Sequence, residues 1–511
     1  MAYSDPMATD DGRPFHPHIA TGSQGDGVNE HLETMEPTLL WRHFRTFCNT
    51  PRPSGREEAL AKKVEAWADA RGLHHERDEA GNLLLRKPAS PGHEEVPGTV
   101  LQGHLDMVSQ AAPGVEHDFT RDPIETFEQD GWLHARGTTL GADNGIGAAA
   151  GLAILDDDSL THGPLEVLLT VEEEASLVGA IKLREQWLQG HFLLNLDSED
   201  EGQVYIGCAG GASVSTEAVL AEAPVAPGMA GLKIGVHGLK GGHSGLDIHQ
   251  GLGNANCLLA RLLDHLAGTG LQLADYDGGT MGNAITREAW ATVAVPRDRL
   301  EHVTGEIERF ARLYREELEG VDDGVTLSHE PASVERAIAA ADTRRIVGVM
   351  HALPYGVAGM SRSAPGVVET SNNMGIVRLE QGKFRLQLMV RSLRDSARDE
   401  LVARLGTLLE LTGFEPRINQ GYPGWTPDPE APLLARFQRV HETTTGEVPA
   451  VKIVHAGLEC GLIGAKHPEM QMISFGPTIR GAHSPDERVD IGAVQNFYAV
   501  LRAMVEDLAR P

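Results

Sequence analysis

The stretch TVLQGHLDMV, residues 99–108, is an apolar run that ends in a His-x-Asp pair. Two later runs have the same form: PLEVLLTVEEE (164–174) ends in three glutamates, and HFLLNLDSED (191–200) ends in acids. Helical stretches lie between these runs, namely the small-residue segment after Gly145 and AIKLREQWL (180–188). Apolar strands that alternate with helices predict an α/β fold with a largely parallel sheet flanked by helices.

The polar residues at the ends of these strands are candidates for one functional site. In open α/β sheets, sites form beyond the carboxyl ends of the strands. Residues i and i+2 of a strand share a face, so His104 and Asp106 can point into the same site. The glutamates 172–174 and Asp197 follow the other two strands. One imidazole with several carboxylates suits a divalent cation, with Zn²⁺ or Mn²⁺ the leading choices.

The segment GTTLGADNGIGAAAGLAIL (137–155) imitates a dinucleotide-binding fingerprint through Gly145, Gly147 and Ala150. That fingerprint has to follow directly on a strand, whereas GTTLGADN is polar and rich in glycine. The better interpretation is a loop that delivers Asp143 at the N-terminus of a helix. An NAD(P)-dependent oxidoreductase remains an alternative that rests on this segment alone.

Composition and the order of predicted strands and helices divide the chain into four parts. Residues 1–34 are polar and rich in Gly, Asp and Pro, which predicts a disordered tail. Strand–helix alternation in 35–210 returns in 425–511, so these parts are expected to form one domain. Residues 211–424 read as an inserted α+β lid domain. Within it WATVAVPRDRLEHVTGEIERF and FRLQLMVRSLRDSARDELVARL look alike, which predicts two related β-α-β units.

A local motif predicts where the second helix begins. Ser54 and Glu57 have the spacing of a capping box, which favours a helix that opens at Ser54.

Length and composition limit the class of protein. A chain of 511 residues exceeds the size of a single core, and its 41% hydrophobic and 23% charged residues are typical of a globular protein. No apolar run is long enough for a membrane span. A net charge of −29 disfavours nucleic acid as a partner. Four cysteines without C-x-x-C spacing and the lack of a secretory signal favour the cytoplasm.

Many longer motifs resemble one known family. They are LQGHLDMV, ARGTTLGADNGIG, LLTVEEEASLVGA, LLNLDSEDEG, YIGCAGG, GLKGGHSGLDIHQGLGNAN, GYPGW, HAGLECGL and ISFGPTIRGAHSPDE. In this order and number they are similar to the aminoacyl-histidine dipeptidase, or peptidase D, branch of the co-catalytic zinc peptidases, which include carnosinases and aminoacylases. The resemblance covers roughly residues 36–510 and makes 35–210 with 425–511 the catalytic domain.

The resemblance implies a site with two divalent ions, Zn²⁺ first and Mn²⁺ or Co²⁺ as alternatives. Asp143 would bridge the ions, His104 and Asp197 would complete one, and Glu174 and His483 the other. The peptide bond Asp143–Asn144 would be cis.

The resemblance also implies roles around this site. Asp106 would hold the His104 imidazole in its metal-binding tautomer, and Glu173 would be the general base. In the lid, His243 would stabilise the oxyanion, while Asn283 and Arg391 would hold the substrate.

Two points about these residues stay open. A pairing of Arg391 with Asp395 is the competing interpretation of that arginine. Glu459 in GLECG matches a family-typical position without an assigned role.

These implications favour a cytoplasmic metallo-dipeptidase that cleaves unblocked dipeptides, including Xaa-His, and forms a homodimer through the lid. The nearest rival is an N-acyl amino acid deacylase that uses the same two-metal site. A non-catalytic, metal-dependent binding module is a further alternative, which the complete set of base and ligands disfavours.

Overall fold

The computed structural model describes residues 28–419 and 421–510. The apolar runs of the first part form strands, and the stretches between them form helices or loops. In chain order the elements are a 3-10 helix (Glu30–Thr34), α1 (Thr38–Cys48), α2 (Glu58–Arg71), β1 (His74–Arg77), β2 (Leu83–Lys87), β3 (Thr99–His104), β4 (Thr126–Gln129), β5 (Trp132–Ala135), α3 (Ala142–Asp156), β6 (Leu165–Thr170), α4 (Glu173–Ser176), α5 (Val178–Ile181), β7 (Phe192–Asn195) and β8 (Gln203–Cys208).

The middle of the chain is richer in strands. Its elements are β9 (Gly210–Val219), β10 (Glu222–Pro224), β11 (Met229–His237), β12 (Gly242–His243), α6 (Ala255–Leu266), β13 (Gln272–Gly278), β14 (Ala284–Ile285), β15 (Ala289–Pro296), α7 (Leu300–Glu317), β16 (Thr326–Ala332), β17 (Arg336–Ile338), α8 (Ala340–Ala352), β18 (Gly356–Met360), β19 (Val368–Glu380), β20 (Lys383–Ser392), α9 (Asp395–Leu411) and β21 (Pro416–Ile418). Short 3-10 helices occur at Ile248–Gln250, Ala267–Thr269 and Arg297–Arg299.

The last part returns to the strand–helix pattern of the first. Its elements are α10 (Pro432–Thr445), β22 (Ala450–Val454), α11 (Glu459–Lys466), β23 (Gln471–Ser474), β24 (Ile479–Arg480), β25 (Arg488–Asp490) and α12 (Ile491–Leu508).

An eight-stranded sheet joins the two ends of the chain. Its strand order is β1-β2-β6-β3-β7-β23-β8-β22, and the central strands β6, β3, β7 and β23 run parallel. One apolar core on this sheet takes side chains from both the first and the last part of the chain. The predicted α/β fold with a largely parallel sheet is therefore confirmed. A second, antiparallel sheet of order β24-β25-β5-β4 lies in the same parts of the chain and has no counterpart in the prediction.

The middle of the chain forms its own antiparallel sheet over a separate apolar core. The main strand order, β16-β11-β15-β13-β19-β20-β9-β21, is symmetric about its centre. In one half α7 connects β15 to β16 with β11 between them, and in the other α9 connects β20 to β21 with β9 between them. The two look-alike sequences are these two β-α-β units, and the predicted inserted α+β lid is the observed architecture.

Two crossing chain segments attach the lid to the eight-stranded domain. Isolated bridges pair Cys208 with Trp425 and Gly211 with Tyr422, so the segments form a short antiparallel ribbon. At its centre a Cβ on Gly210 would lie 2.5 Å from the Gly424 nitrogen. Because no side chain fits there, both positions require glycine. We keep 35–210, 211–424 and 425–511 as the proposed domain bounds.

Three local predictions need correction. Residues 28–34, assigned above to the tail, are folded, because Leu32 is fully buried; residues 1–27 of the tail lie outside the described residues. Helix α2 begins at Glu58 without a side-chain cap, because the Ser54 hydroxyl donates to Asp106 instead. Of the segment 180–188 only the first two residues are helical, as the end of α5. In the described ranges no helix is long and apolar enough to cross a membrane.

Helix α3 packs against the ends of the parallel strands with almost no space between them. A Cβ on Gly147 would lie 2.1 Å from the carbonyl oxygen of Leu196, and the Asn144 amide donates to the same oxygen at 2.6 Å. The glycines of this segment therefore serve close helix–sheet packing. No strand immediately precedes α3, so the context required for dinucleotide binding is missing.

Replacing Gly147 with alanine tests this packing. Alanine would favour the helix by itself, yet its methyl group would collide with a backbone carbonyl, so we expect a loss of about 1–3 kcal/mol in the free energy of unfolding. The matched control is Gly305→Ala in α7, where a Cβ meets nothing within 4 Å and a gain of about 0.5–1 kcal/mol is expected. Urea unfolding followed by circular dichroism measures both. Equal stability of the Gly147 variant and the wild type would contradict the packing argument.

Candidate metal centre

The carboxyl ends of three neighbouring parallel strands carry the first group of candidate residues. His104 ends β3, Asp197 lies two residues beyond β7, and Glu173 opens α4 after β6. Because β6, β3 and β7 are adjacent and parallel, these side chains meet at one edge of the sheet. His104 and Asp197 are within 3.5 Å of each other through Nε2 and Oδ1.

Asp143 lies between this first group and a second one that contains Glu174 and His483, and one of its carboxylate oxygens faces each group. Its Oδ1 lies 3.4 Å from His104 Nε2, on the side of Asp197. Its Oδ2 lies 3.2 Å from His483 Nε2, which is itself 2.9 Å from Glu174 Oε2. In each group the candidate ligand atoms lie within 4.8 Å of one another. The five residues therefore form two possible cation sites that share one carboxylate.

The start of α3 brings Asp143 to this position. Gly141 precedes the helix with φ +69°, and the Asp143–Asn144 peptide bond is cis, as the family resemblance implies. The Asn144 side chain accepts from the His104 amide at 3.3 Å and donates to the Leu196 carbonyl at 2.6 Å. The helix start is thus fastened between β3 and β7, beside the two other ligand candidates.

Asp106 orients His104 and lies outside the possible ligand groups. Its Oδ1 is 3.3 Å from His104 Nδ1, which leaves Nε2 facing Asp143 and Asp197. It also accepts the Ser54 hydroxyl at 2.7 Å and the amides of Glu173 and Glu174 at 3.1 and 3.2 Å. Burial raises the pKa of Asp106, but the hydrogen bond and charge of His104, together with the bonds from Ser54 and Glu173, outweigh it and hold the pKa below its ordinary value. A charged Asp106 fixes the imidazole tautomer.

Glu173 lies beside the two groups. Its Oε2 is 4.0 Å from His104 Nε2, and it forms a third possible ligand group with His104 and Glu174. Burial and the nearby carboxylates, Asp197 foremost, raise the pKa of Glu173 well above its ordinary value.

The centre holds more buried negative charge than its imidazoles balance. Burial and neighbouring carboxylates raise the pKa of Asp197 to about 7 and that of Glu199 to about 8. The hydrogen bonds to Asp143 and Glu174 raise the pKa of His483 to about 11. Oε1 of Glu174 is buried without a hydrogen-bond partner. An unpaired carboxylate oxygen among mixed nitrogen and oxygen donors fits divalent cations such as Zn²⁺ or Mn²⁺.

The candidate substrate-binding residues form a second cluster in the lid. Arg391, which is 4% exposed, places Nη2 3.3 Å from His243 Nε2 and donates to Ser244 and Tyr422. Asn283 is exposed, and its backbone carbonyl oxygen accepts from the Ser244 backbone amide at 2.8 Å. The pairing of Arg391 with Asp395 is not observed, since Asp395 pairs with Arg398. In the described ranges, Arg391 has no carboxylate within ion-pair distance.

One segment connects the two clusters. His455 Nε2 is 2.8 Å from the Ser371 hydroxyl of the lid, and Gly245 packs against the His455 carbonyl. Four residues later, buried Glu459 accepts from Gln102 and Thr170, each at 2.6 Å, within strands of the metal centre. No direct hydrogen bond or ion pair joins the predicted residues of the two clusters in the part of the chain that the structure describes.

Sequence reasoning missed several polar residues around the centre. Ser54 was assigned to a helix cap, and Glu199 belongs to the quoted DSED motif without a role of its own. The buried Glu459, left unassigned above, makes structural hydrogen bonds to two strands. Only the motif context offers a signal for Glu199 and Glu459, because neither lies on a periodic apolar face.

Comparison with known proteins is consistent with this geometry. The model of peptidase family M20/M25/M40 matches residues 100–507. The chain is 43% identical to the cytosol non-specific dipeptidase of Escherichia coli (strain K12) over 93% of this chain and 99% of that protein. The crystal structure of aminoacylhistidine dipeptidase from Vibrio alginolyticus aligns with a TM-score of 0.85 and 42% identity, covering 93% of this chain and 98% of the other.

A more distant solved structure shares the fold alone. Aminopeptidase PepT from Bacillus cereus aligns with a TM-score of 0.53 and 16% identity over 93% of this chain and all of that one. With the family match over most of the chain and the close relative over nearly its full length, the chain belongs to peptidase family M20/M25/M40 and is a peptide-bond hydrolase.

Proposed function

We propose that this protein is a metal-dependent dipeptidase that cleaves unblocked dipeptides, including those with a C-terminal histidine. The observation that carries the proposal is Asp143, whose two carboxylate oxygens face two separate groups of candidate ligands. Its relatives, a non-specific dipeptidase and an aminoacylhistidine dipeptidase, support the substrate class.

The metal centre would hold two ions with the residues assigned above. Asp143, His104 and Asp197 would hold one, and Asp143, Glu174 and His483 the other. Bound ions would polarise the scissile carbonyl and lower the pKa of a water molecule. Zn²⁺ is our first choice, with Mn²⁺ and Co²⁺ as alternatives.

Glu173 would move the proton. It lies beside both ligand groups without belonging to the pair that shares Asp143. Once bound cations offset the burial and the neighbouring carboxylates that raise its pKa, its ionised carboxylate would accept a proton from the attacking water. The same carboxyl would then give the proton to the leaving amine.

The lid would bind the ends of the substrate and the developing charge. Nδ1 of His243 accepts the amides of Leu246 and Gly245, so Nε2 of the neutral ring carries the hydrogen. Burial and Arg391 lower the pKa of His243 to about 4, which keeps the ring neutral. Nε2 and the Arg391 guanidinium are then two donors side by side without an acceptor between them. An oxygen of the substrate carboxylate or of the oxyanion would satisfy both, with Asn283 at the rim.

The lid of one chain would serve the metal centre of the same chain. The segment from His455 to Glu459 touches the lid cluster at one end and the strands of the metal centre at the other. Four residues of extended chain span at most about 14 Å, so the lid contact at His455 lies within that distance of the strand contact at Glu459. Lid closure would bring the two clusters together around a dipeptide.

The remaining proposals concern location and assembly. The name of the Escherichia coli relative supports a cytosolic location. A homodimer through the lid stays a prediction, and the lid sheet offers β16 and β21 as edge strands for it. Light scattering coupled to size-exclusion chromatography measures the oligomeric state.

Glu173→Gln tests the base. The amide keeps the volume but cannot accept the proton, so we expect kcat to fall by roughly 10²–10⁴-fold while metal remains bound. The matched control is Glu172→Gln, one residue earlier and outside the possible ligand groups, for which near wild-type kcat is expected. Steady-state kinetics and metal analysis by mass spectrometry provide the readouts. Unchanged turnover of Glu173→Gln would refute the assignment of the base.

A substrate panel tests the reaction and its metal dependence together. Unblocked Xaa-His and other dipeptides are assayed against their N-acetylated equivalents, before and after chelation. We expect hydrolysis of the unblocked compounds, about two ions per chain, loss of activity on chelation, and recovery with Zn²⁺, Mn²⁺ or Co²⁺. Equal or faster cleavage of the blocked compounds would establish the deacylase instead, and activity that survives complete metal removal would contradict the metal centre.

A mixing experiment tests whether the lid acts within its own chain. His243→Ala removes the oxyanion donor and should cost roughly 10²–10³-fold in kcat; Glu173→Gln removes the base. The two variants are co-expressed with different tags, and any complexes that carry both are purified. We expect no more activity than the two variants show separately. Substantial recovery in mixed complexes would show that His243 crosses to the partner's centre.

A further inference from the structure

Two buried charged residues lie beneath the metal centre, outside all the possible ligand groups. Arg52 is 1% exposed and Glu487 is 3% exposed. The Glu487 carboxylate belongs to the GAHSPDE motif, four residues after His483, whereas Arg52 lies in the loop between α1 and α2. Neither has a role in the mechanism proposed above.

Arg52 joins the loop after His104 to the loop before Asp143. Its Nη1 donates to the carbonyl oxygens of Leu105 and Asp106 at 2.9 and 2.7 Å. Its Nη2 donates to the Gly141 carbonyl at 2.6 Å. The planar guanidinium can reach both loops at once because its donors diverge from one rigid group.

Glu487 joins the loop before Asp143 to the loop that carries His483. One oxygen accepts the amides of Leu140 and Gly141 at 2.8 and 2.9 Å, and the other accepts the amide of Asp143 at 3.2 Å. The same carboxylate therefore fixes the backbone of the shared ligand candidate and the start of its loop.

The two residues hold Gly141 from opposite sides of its backbone. Arg52 takes its carbonyl and Glu487 its amide, and a Cβ at this position would lie 2.4 Å from Arg52 Nη2 and 2.9 Å from Met107 Sδ. The fit leaves no space for a side chain. Three separate segments, 104–106, 140–143 and 483–487, are thereby held in one arrangement.

We propose that Arg52 and Glu487 are positioning residues that set cation affinity by fixing these three segments. Asp143 can show one oxygen to each ion only if its own loop is fixed relative to His104 and to His483. Residues that orient ligands without touching the metal commonly change affinity by about 10–100-fold. This inference rests on the proposed metal-dependent function.

Glu487→Gln and Arg52→Lys disturb the arrangement in different ways. The glutamine amide has one acceptor oxygen, so it cannot accept from all three amides and turns an N–H group toward a donor. The lysine ammonium keeps the charge but lacks the fork that reaches both loops. If Glu487→Gln does not fold, Arg52→Lys tests the same arrangement, because it is the milder change.

The matched control is Asp507→Asn. Asp507 is a buried carboxylate on α12 that accepts from Arg436 and Arg439 and belongs to none of the possible ligand groups. Its substitution should lower stability through the loss of charged hydrogen bonds while leaving the centre intact.

Titration of metal-free full-length protein with Mn²⁺ or Zn²⁺, by calorimetry or against a chelating dye, provides the test. We expect roughly 10–100-fold weaker cation binding by both Glu487→Gln and Arg52→Lys, a fall in kcat that exceeds any change in KM, and unchanged affinity for Asp507→Asn. Thermal unfolding of the same samples measures stability. Variants of Arg52 and Glu487 that lose stability like Asp507→Asn but bind cations as the wild type does would overturn the inference. Wild-type protein that binds no cation would overturn the proposed function itself.

Discussion

The constraint on which this structure depends is the crowding of negative charge at the carboxyl edge of its parallel strands. Asp143, Glu173, Glu174, Asp197 and Glu199 lie together there, with His104 and His483 between them. Buried like charges repel strongly unless something of opposite sign separates them. The imidazoles balance part of the charge, and Oε1 of Glu174 lies buried without a hydrogen-bond partner, which fits a cation there. The architecture around this edge keeps the carboxylates in place despite their repulsion.

The two domains differ in the charged and polar groups that they contribute to the candidate site. The eight-stranded domain supplies the carboxylates, whereas the lid supplies a buried arginine and a neutral histidine that face each other as donors. In the proposed reaction the first domain would act on the scissile carbonyl of a dipeptide and the lid would bind its carboxylate. The symmetric lid sheet gives the donor cluster a rigid base, because Arg391 lies on β20 and Ser371 pairs with it from β19.

The predicted sheet is confirmed, and the candidate residues at the ends of its strands lie together, for a physical reason. Each of His104, Glu174 and Asp197 follows an apolar run, and apolar runs of this length form buried strands whose ends meet. The position of a residue at the end of an apolar strand therefore predicts that it lies at the shared edge of the sheet. The lid repeat was also readable, because each unit keeps a strand, a turn and an amphipathic helix in one continuous stretch.

Contacts between loops that are distant in the chain could not be predicted from the sequence in the same way. Ser54 has the local spacing of a helix cap, yet its hydroxyl binds Asp106, 52 positions away. The contacts of Glu487 with the loop at 140–143 span more than 340 positions. No periodic pattern in the sequence indicates a contact between distant loops. For Ser54, the capping-box spacing indicated a local hydrogen bond instead. The end of the tail was misjudged likewise, since burial of Leu32 depends on the core assembled later in the chain.

The ribbon at Gly210 and Gly424 has a consequence for how the molecule opens. Both covalent connections of the lid pass through this one crossing, side by side, where neither chain carries a side chain. Any rotation of the lid would therefore bend the chain at this one crossing, and His243 and Arg391, which both lie in the lid, would move together. Under the proposed function, a crossing of this kind would favour short peptides, because a longer one would hold the two domains apart.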